Sequence, residues 1–195
     1  MMINCAGFLE RSRVNGPGER AVLWVQGCFF HCPGCFNRSL WSFKKNHLVR
    51  ASDIADTVLS LPGIDGITFS GGEPFCQALP LAEVGELVQK EGLSVVTFSG
   101  FPSDTLLPTK KRSWKELLEV TDLLVAGPYI RECTSGISLC GSTNQEQIFL
   151  SERIPMKTFP DCIGRTVEYT ISSQGEITTT GFPESNLFHP ETGCI

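Results

Sequence analysis

Apolar positions fall along this chain in short blocks, and the spacing within each block separates strands from helices. Ala21-Val22-Leu23-Trp24-Val25 is a continuous apolar, β-branched run, the pattern of a buried strand. It leads into Gly27 and a cysteine-rich loop. Over residues 52–61, Ile54, Val58 and Leu61 recur at helical spacing; Ser52 is placed to cap the helix and Pro62-Gly63 to stop it. Gly66-Ile67-Thr68-Phe69 predicts a second strand, ending at Ser70-Gly71-Gly72. Leu81, Val84, Leu87 and Val88 mark an amphipathic helix, and residues 93–98 a third strand. Residues 114–120 predict a short helix with Leu117 and Leu118 facing inward. Residues 122–126 predict a fourth strand, closed by Gly127-Pro128. Residues 166–171 and 176–180 are β-rich around Gln174-Gly175 and predict a hairpin. Residues 181–195 carry turn formers and few helix or strand signals, and no internal repeat or low-complexity tract interrupts the chain.

Strands alternating with helices imply βαβ units: an α/β fold with a mostly parallel sheet, its right-handed crossovers placing the helices outside. Such folds put their chemistry on loops at the C-terminal ends of the strands. The cysteine loop follows the first predicted strand and Gly71-Gly72-Glu73 the second, so both belong at the same end of the sheet. A length of 195 residues suits one domain with room for a real core. Residues 1–150 read as that core and 151–195 as a β-rich C-terminal extension, within the same domain or as a small appendage.

Composition narrows the classes. Hydrophobic content of 41% with 19% charged residues is ordinary for a soluble globular chain. A net charge of −5 gives no general case for binding nucleic acid or an anionic membrane, and Lys44-Lys45 and Lys110-Lys111-Arg112 read as solvated charges. No stretch approaches the roughly 20 apolar residues of a membrane span. Residues 1–10 lack a basic region followed by an apolar run, so the cytoplasm is the expected location. Nine cysteines, an odd number without an export signal, point away from a disulfide framework and toward metal or cofactor ligands. His47 and His189 stand isolated.

Cys28-Phe29-Phe30-His31-Cys32-Pro33-Gly34-Cys35 holds three thiols within eight residues. Soft thiolates on a loop able to curl are what an iron–sulfur cluster needs, and Gly27, Pro33 and Gly34 supply the loop. Three ligands on a four-iron cluster leave one iron open for chemistry. The same thiols with His31 would make a structural zinc site, although His31 directly precedes Cys32, which is awkward for a tetrahedron. An auxiliary cluster on Cys133, Cys140, Cys162 and Cys194 is the other alternative; their spacing is wide, and Cys5 and Cys76 remain besides. At Ser70-Gly71-Gly72-Glu73-Pro74, glycines let the backbone approach a ligand and Glu73 offers a carboxylate to an ammonium group. Alone this is an ordinary strand-to-helix turn. One βα unit after the cysteine loop it becomes a strong signal.

Cys-x3-Cys-x2-Cys followed by Gly-Gly-Glu-Pro resembles the radical S-adenosylmethionine (SAM) superfamily. Gly16-Pro17-Gly18-Glu19-Arg20, Gln26-Gly27-Cys28 and Cys32-Pro33-Gly34-Cys35-Phe36-Asn37 with Trp41 resemble, more narrowly, the activating enzymes of anaerobic (class III) ribonucleotide reductase. Asp122-Leu123-Leu124-Val125-Ala126-Gly127-Pro128 and Gly141-Ser142-Thr143-Asn144-Gln145 resemble the same glycyl-radical-enzyme activase group, so the likeness spans residues 3–150. It implies a partial (βα) barrel and one [4Fe–4S] cluster on Cys28, Cys32 and Cys35, which are also the catalytic residues. It implies SAM on the open iron, with Gly71, Gly72, Glu73 and Pro74 at its amino group and Gly34, Cys35 and Phe36 by the adenosine. Ser99 and Gly127 would complete the pocket. A reductant such as flavodoxin or ferredoxin would supply one electron. SAM would be cleaved to methionine and a 5′-deoxyadenosyl radical, which takes a hydrogen atom from a glycine on a partner such as anaerobic ribonucleotide reductase. A partial barrel leaves one side open to so large a substrate. Two other readings stand beside this one. Radical SAM enzymes that modify a peptide or small metabolite, such as deazapurine-type synthases, share the Gly-Gly-Glu-Pro turn but lack the element at 141–144. A non-catalytic zinc or iron–sulfur binding module is the alternative outside catalysis. The chain also continues about fifty residues past the point where such activases end.

Overall fold

The apolar runs become the centre of a seven-stranded sheet. The computed structural model describes residues 1–155, 166–171, 174–175 and 177–182. Its main sheet contains β1 (Met2–Ser12), β2 (Arg20–Val25), β3 (His47–Arg50), β4 (Gly66–Gly71), β5 (Ser94–Ser99), β6 (Leu123–Ala126) and β7 (Glu146–Phe149), in the order β3-β1-β2-β4-β5-β6-β7. The four central strands, β2, β4, β5 and β6, are parallel. β1 and β3 extend the sheet antiparallel at one side and β7 at the other. Helices α1 (Ala51–Ser60), α2 (Ala78–Lys90), α3 (Ser103–Leu106) and α4 (Arg112–Glu119) fill the crossovers.

The parallel strands are mostly apolar because both of their faces are covered, with Arg20, Thr68, Ser94, Thr97 and Ser99 as buried polar exceptions. Successive side chains alternate between two cores. Leu23, Phe69, Val95 and Leu124 face the helices and pack with Val58 of α1, Leu81 of α2 and Leu117 of α4. Val22 and Trp24 face the other way, with Leu40; Val96, Leu123 and Val125 do so with Leu139, Cys140 and Ile154. Helices outside, and an inner face that none of them covers, make a partial (βα) barrel. Burying each such aliphatic side chain contributes about 1.5–3 kcal/mol, so packing rather than intrinsic propensity holds these short helices.

Two expectations need correction. Ser52 does not cap α1: Arg50, the last residue of β3, holds that position without a side-chain cap. The strand runs straight into the helix, and the Met1 carbonyl accepts the Ala51 N–H at 2.9 Å, so the backbone takes over what a capping hydroxyl would do. Ser52 turns to Asp53 instead. The sheet is also wider than the sequence pattern indicates, because β1, β3 and β7 were not foreseen.

At the N-terminal ends of the parallel strands, the buried Arg20 side chain uses all five of its N–H donors. Nε donates to the Thr68 hydroxyl (3.1 Å), Nη1 to the Pro17 carbonyl (3.1 Å) and Ser94 hydroxyl (3.0 Å), and Nη2 to the Ile67 (3.0 Å) and Ser94 (2.6 Å) carbonyls. One guanidinium thus ties β2, β4 and β5 together. Burial lowers its pKa to about 10, against the pull of Asp65 and Asp122.

The expected hairpin is present as β8 (Val167–Ile171) and β9 (Ile177–Gly181), paired antiparallel. The Asn15 amide donates to the Thr180 hydroxyl at 2.9 Å and anchors the hairpin to the β1–β2 loop. Glu176, Cys162, His189, Cys194 and most of residues 181–195 lie outside the described residues.

Candidate functional site

Where β2 ends, the chain turns out of the sheet and forms the cysteine loop. Its start is held by backbone bonds from Gly27 N–H to the Leu40 carbonyl (2.8 Å) and from Cys28 N–H to the Trp41 carbonyl (3.1 Å). Left-handed backbone at His31 (φ 48°) and Gly34 (φ 77°) folds the loop back, and Cys35 N–H closes a turn on the Cys32 carbonyl at 3.1 Å. The next parallel strand, β4, delivers Gly71-Gly72-Glu73 alongside. Gly72 N–H donates to the Val25 carbonyl (2.7 Å) and Glu73 N–H to the Gly27 carbonyl (2.8 Å). A Cβ on Gly72 would lie 2.3 Å from the Gly27 oxygen, so only glycine allows this approach.

The result is one cavity of about 130 Å³ with Cys28, Cys32 and Cys35 on one wall and Gly71, Gly72 and Glu73 on another. Ser99 and Gly127, from the ends of β5 and β6, also line it. Phe30, Trp41, Phe98, Tyr129 and Gln145 complete it. Of these, Phe30, Trp41 and Gln145 fall inside quoted motifs, whereas Phe98 and Tyr129 carried no functional signal in the sequence. Gln145 accepts Gly141 N–H (2.8 Å) and donates to the Gly127 carbonyl (2.9 Å), fastening the 141–145 motif to the end of β6. Three sequence-named residues stand just outside. Pro74 is buried at the start of a 3-10 turn. Gly34 backs onto Arg131, and Phe36 faces a second cavity.

Glu73 is the most unusual group here. It is 1% exposed, and burial raises its pKa to about 7 against the three donors that hold it. Oε1 accepts Phe75 N–H (3.0 Å) and the Ser99 hydroxyl (2.9 Å); Oε2 accepts Gly100 N–H (2.8 Å). A carboxylate has about four lone-pair sites. Glu73 therefore keeps one acceptor position, on Oε2, for a ligand.

Burial also raises the Cys28 and Cys32 thiols, and the neighbouring Cys35 and Glu73 push both further in the same direction. Empty, these thiols hold their protons; a bound cation would displace the protons and relieve the repulsion. The donor set fits an iron–sulfur cluster. All three thiols line the same cavity, where soft thiolates could each take a separate iron of a cluster. His31, the fourth ligand of the zinc alternative, is not among the cavity-lining residues; its exposed ring lies against Trp41, tilted by 50° at 4.7 Å. Trp41 Nε1 is buried with no hydrogen-bond partner among the described residues. Of the cysteines considered for a second cluster, Cys140 is buried in the inner core and accepts from Gln147 at 3.5 Å, and Cys133 is half-buried. No helix among the described residues is long and apolar enough to cross a membrane.

A family model described as a 4Fe-4S single cluster domain matches residues 14–148. The anaerobic ribonucleoside-triphosphate reductase-activating protein of Vibrio cholerae is 33% identical over 145 residues, covering 68% of this chain and 88% of that protein. Its namesake in Escherichia coli K12 is 30% identical over 146 residues, covering 68% and 89%. The pyruvate formate-lyase-activating enzyme of Listeria monocytogenes is 31% identical over 117 residues, covering 57% and 47%. On this model match and these identities, the chain belongs to the radical SAM activating-enzyme family, with the anaerobic ribonucleoside-triphosphate reductase-activating proteins.

Proposed function

We propose that this chain generates a glycyl radical on a partner enzyme, an anaerobic ribonucleoside-triphosphate reductase, using SAM and a single [4Fe–4S] cluster held by Cys28, Cys32 and Cys35. The observation that carries this reading is the meeting of the three thiols and Gly71-Gly72-Glu73 in one cavity. When bound, the cluster and SAM supply a one-electron cleavage to methionine and a 5′-deoxyadenosyl radical, which takes the hydrogen atom of a glycine Cα to give 5′-deoxyadenosine.

The protein's own residues orient and enclose. Gly71 and Gly72 line the cavity, and a side chain on either would collide with the backbone of Trp24, Val25 or Gly27, so glycine at both positions keeps this wall against the cysteine loop. The free lone pair of Glu73 Oε2 accepts the ligand's ammonium, and that positive charge keeps the buried carboxylate ionised. Ser99 and Gly100 fix the carboxylate so that this position points one way. Phe30, Trp41, Phe98 and Tyr129 wall the cavity with aromatic surface that keeps water from a reactive intermediate. The electron comes from a cytoplasmic reductant of the flavodoxin or ferredoxin kind.

The test is anaerobic reconstitution with iron and sulfide, reduction with dithionite, and assay of 5′-deoxyadenosine from added SAM. Product that disappears in Cys32→Ala, and a glycyl EPR signal on added reductase, support the reading. Absence of product and of any SAM-dependent change in the cluster EPR signal, in fully loaded protein, overturns it.

A further inference from the structure

A second cavity, of about 140 Å³, opens on the inner face of the sheet. Trp24 of β2, Phe98 of β5, and Phe36 and Asn37 of the cysteine loop form three of its sides. The fourth side is the hairpin, through Thr180 and Phe182. Ser70 and Phe98 line both cavities, so the two share a wall.

The hairpin lies beyond residues 14–148, the span matched by the family model. It is nevertheless firmly seated. Thr180 is 8% exposed and exchanges two contacts with Asn15, at 2.9 and 3.3 Å. Gly181, at φ +101°, turns the chain after β9, and a Cβ there would lie 2.2 Å from the Thr166 carbonyl oxygen. Past that turn, the Phe182 ring stands edge-on to Phe36 at 6.1 Å. It also abuts Gly141, where a Cβ would lie 3.2 Å from the ring. The sequence therefore leaves room for this ring on the core side.

The chemistry of the walls limits what enters. Four aromatic rings alternate with amides and hydroxyls (Asn15, Asn37, Ser70, Thr179, Thr180), and none of the described lining residues carries an ionisable side chain. Such walls suit the uncharged main chain of an extended polypeptide, whose N–H and C=O groups find partners while water is kept out. Among the described lining residues they offer no cation to balance a phosphate or carboxylate.

We propose that the β8–β9 hairpin is the outer wall of the chamber that receives the target segment, and that Phe182 and Thr180 make it selective for glycine by excluding a side chain at the reacting position. The proposal rests on the activase reading. The experiment uses the cluster-loaded full chain, SAM, dithionite and two synthetic peptides. Both copy the glycyl-radical segment of an anaerobic ribonucleoside-triphosphate reductase; one has glycine deuterated at Cα at the target position, the other alanine deuterated there. Mass spectrometry reads deuterium transferred into 5′-deoxyadenosine.

The wild type transfers deuterium far faster from the glycine peptide than from the alanine peptide, for which a slow but measurable rate sets the ratio. In Phe182→Ala the glycine-to-alanine ratio falls about 10-fold, the scale on which small volume changes act in a pocket, and it falls less in Phe182→Leu and Thr180→Ala. The ratio is taken within each variant, so a fold defect that lowers both rates leaves it unmoved. Variants that still transfer from glycine with an unchanged ratio overturn the proposal. So does transfer from glycine that appears only once Phe182 is truncated, since the hairpin would then block the chamber. Failure of the wild type to form any 5′-deoxyadenosine overturns the activase reading itself, a separate and recognisable result.

Discussion

Two charged side chains are buried at opposite ends of the parallel strands, and they differ in what they have left over. Arg20 has five donors and uses five. Glu73 has about four acceptor sites and uses three. Both were taken out of water, and burial pushes the pKa of each toward its neutral form. Only Glu73 faces the cavity with the thiols. Burial of a charge therefore does not mark a functional group; the residual hydrogen-bonding capacity and where it points do.

The contrast is sharpest when activity and stability are read separately. Cys32→Ala takes SAM cleavage to background. It leaves the cluster-free fold within about 1 kcal/mol of wild type, because the thiol is only half-buried and makes no hydrogen bond that the fold needs. Urea denaturation beside the 5′-deoxyadenosine assay checks both halves. Arg20→Met does the reverse: it strands carbonyls and hydroxyls on three strands and costs about 3–5 kcal/mol. The fraction that stays folded still cleaves SAM, and loss of cleavage per folded molecule would erase the distinction between the two ends.

Glu73 supplies the third test, through pH. Its folded pKa of about 7 lies above the ordinary 4.5. Between those values the folded state holds the proton that the unfolded chain has released. Stability of the cluster-free protein therefore falls as pH rises across that window and levels off above it. The Glu73 contribution amounts to about 3 kcal/mol, and denaturation midpoints in Glu73→Gln lack it. SAM binding runs the opposite way, strengthening up to about pH 7 as the carboxylate ionises, and this rise also vanishes in Glu73→Gln. The smallest effect belongs to Ser99→Ala. Losing the donor at 2.9 Å costs about 1 kcal/mol and moves the SAM-binding midpoint to higher pH, since the charged carboxylate is less well held.

The parallel centre of the fold was legible because strands covered on both faces must be apolar residue after residue, as 21–25 and 123–126 are. The flanking strands were not. β1 is interrupted by irregularities between Cys5 and Gly7 and between Leu9 and Ser12, which scramble its alternation. β3 and β7 are four residues each, too short for a period to show. The same division runs through the site. The thiols and the Gly-Gly-Glu turn are local motifs and could be read directly. The partners of the Glu73 carboxylate, Ser99 and Gly100, are 26 and 27 residues away, and Tyr129 arrives on yet another strand end. Only the register of β4, β5 and β6 brings them in. The seat of the hairpin was likewise hidden, since β-rich sequence reveals a pairing but not the surface it lies against.

The backbone bonds that fasten the cysteine loop to β4, from Gly72 to Val25 and from Glu73 to Gly27, involve no thiol. The cradle for the cluster is thus assembled by the polypeptide alone. Loss of a cluster would remove neither of these two bonds, so the loop is expected to keep its course without iron, and circular dichroism before and after chelation checks it.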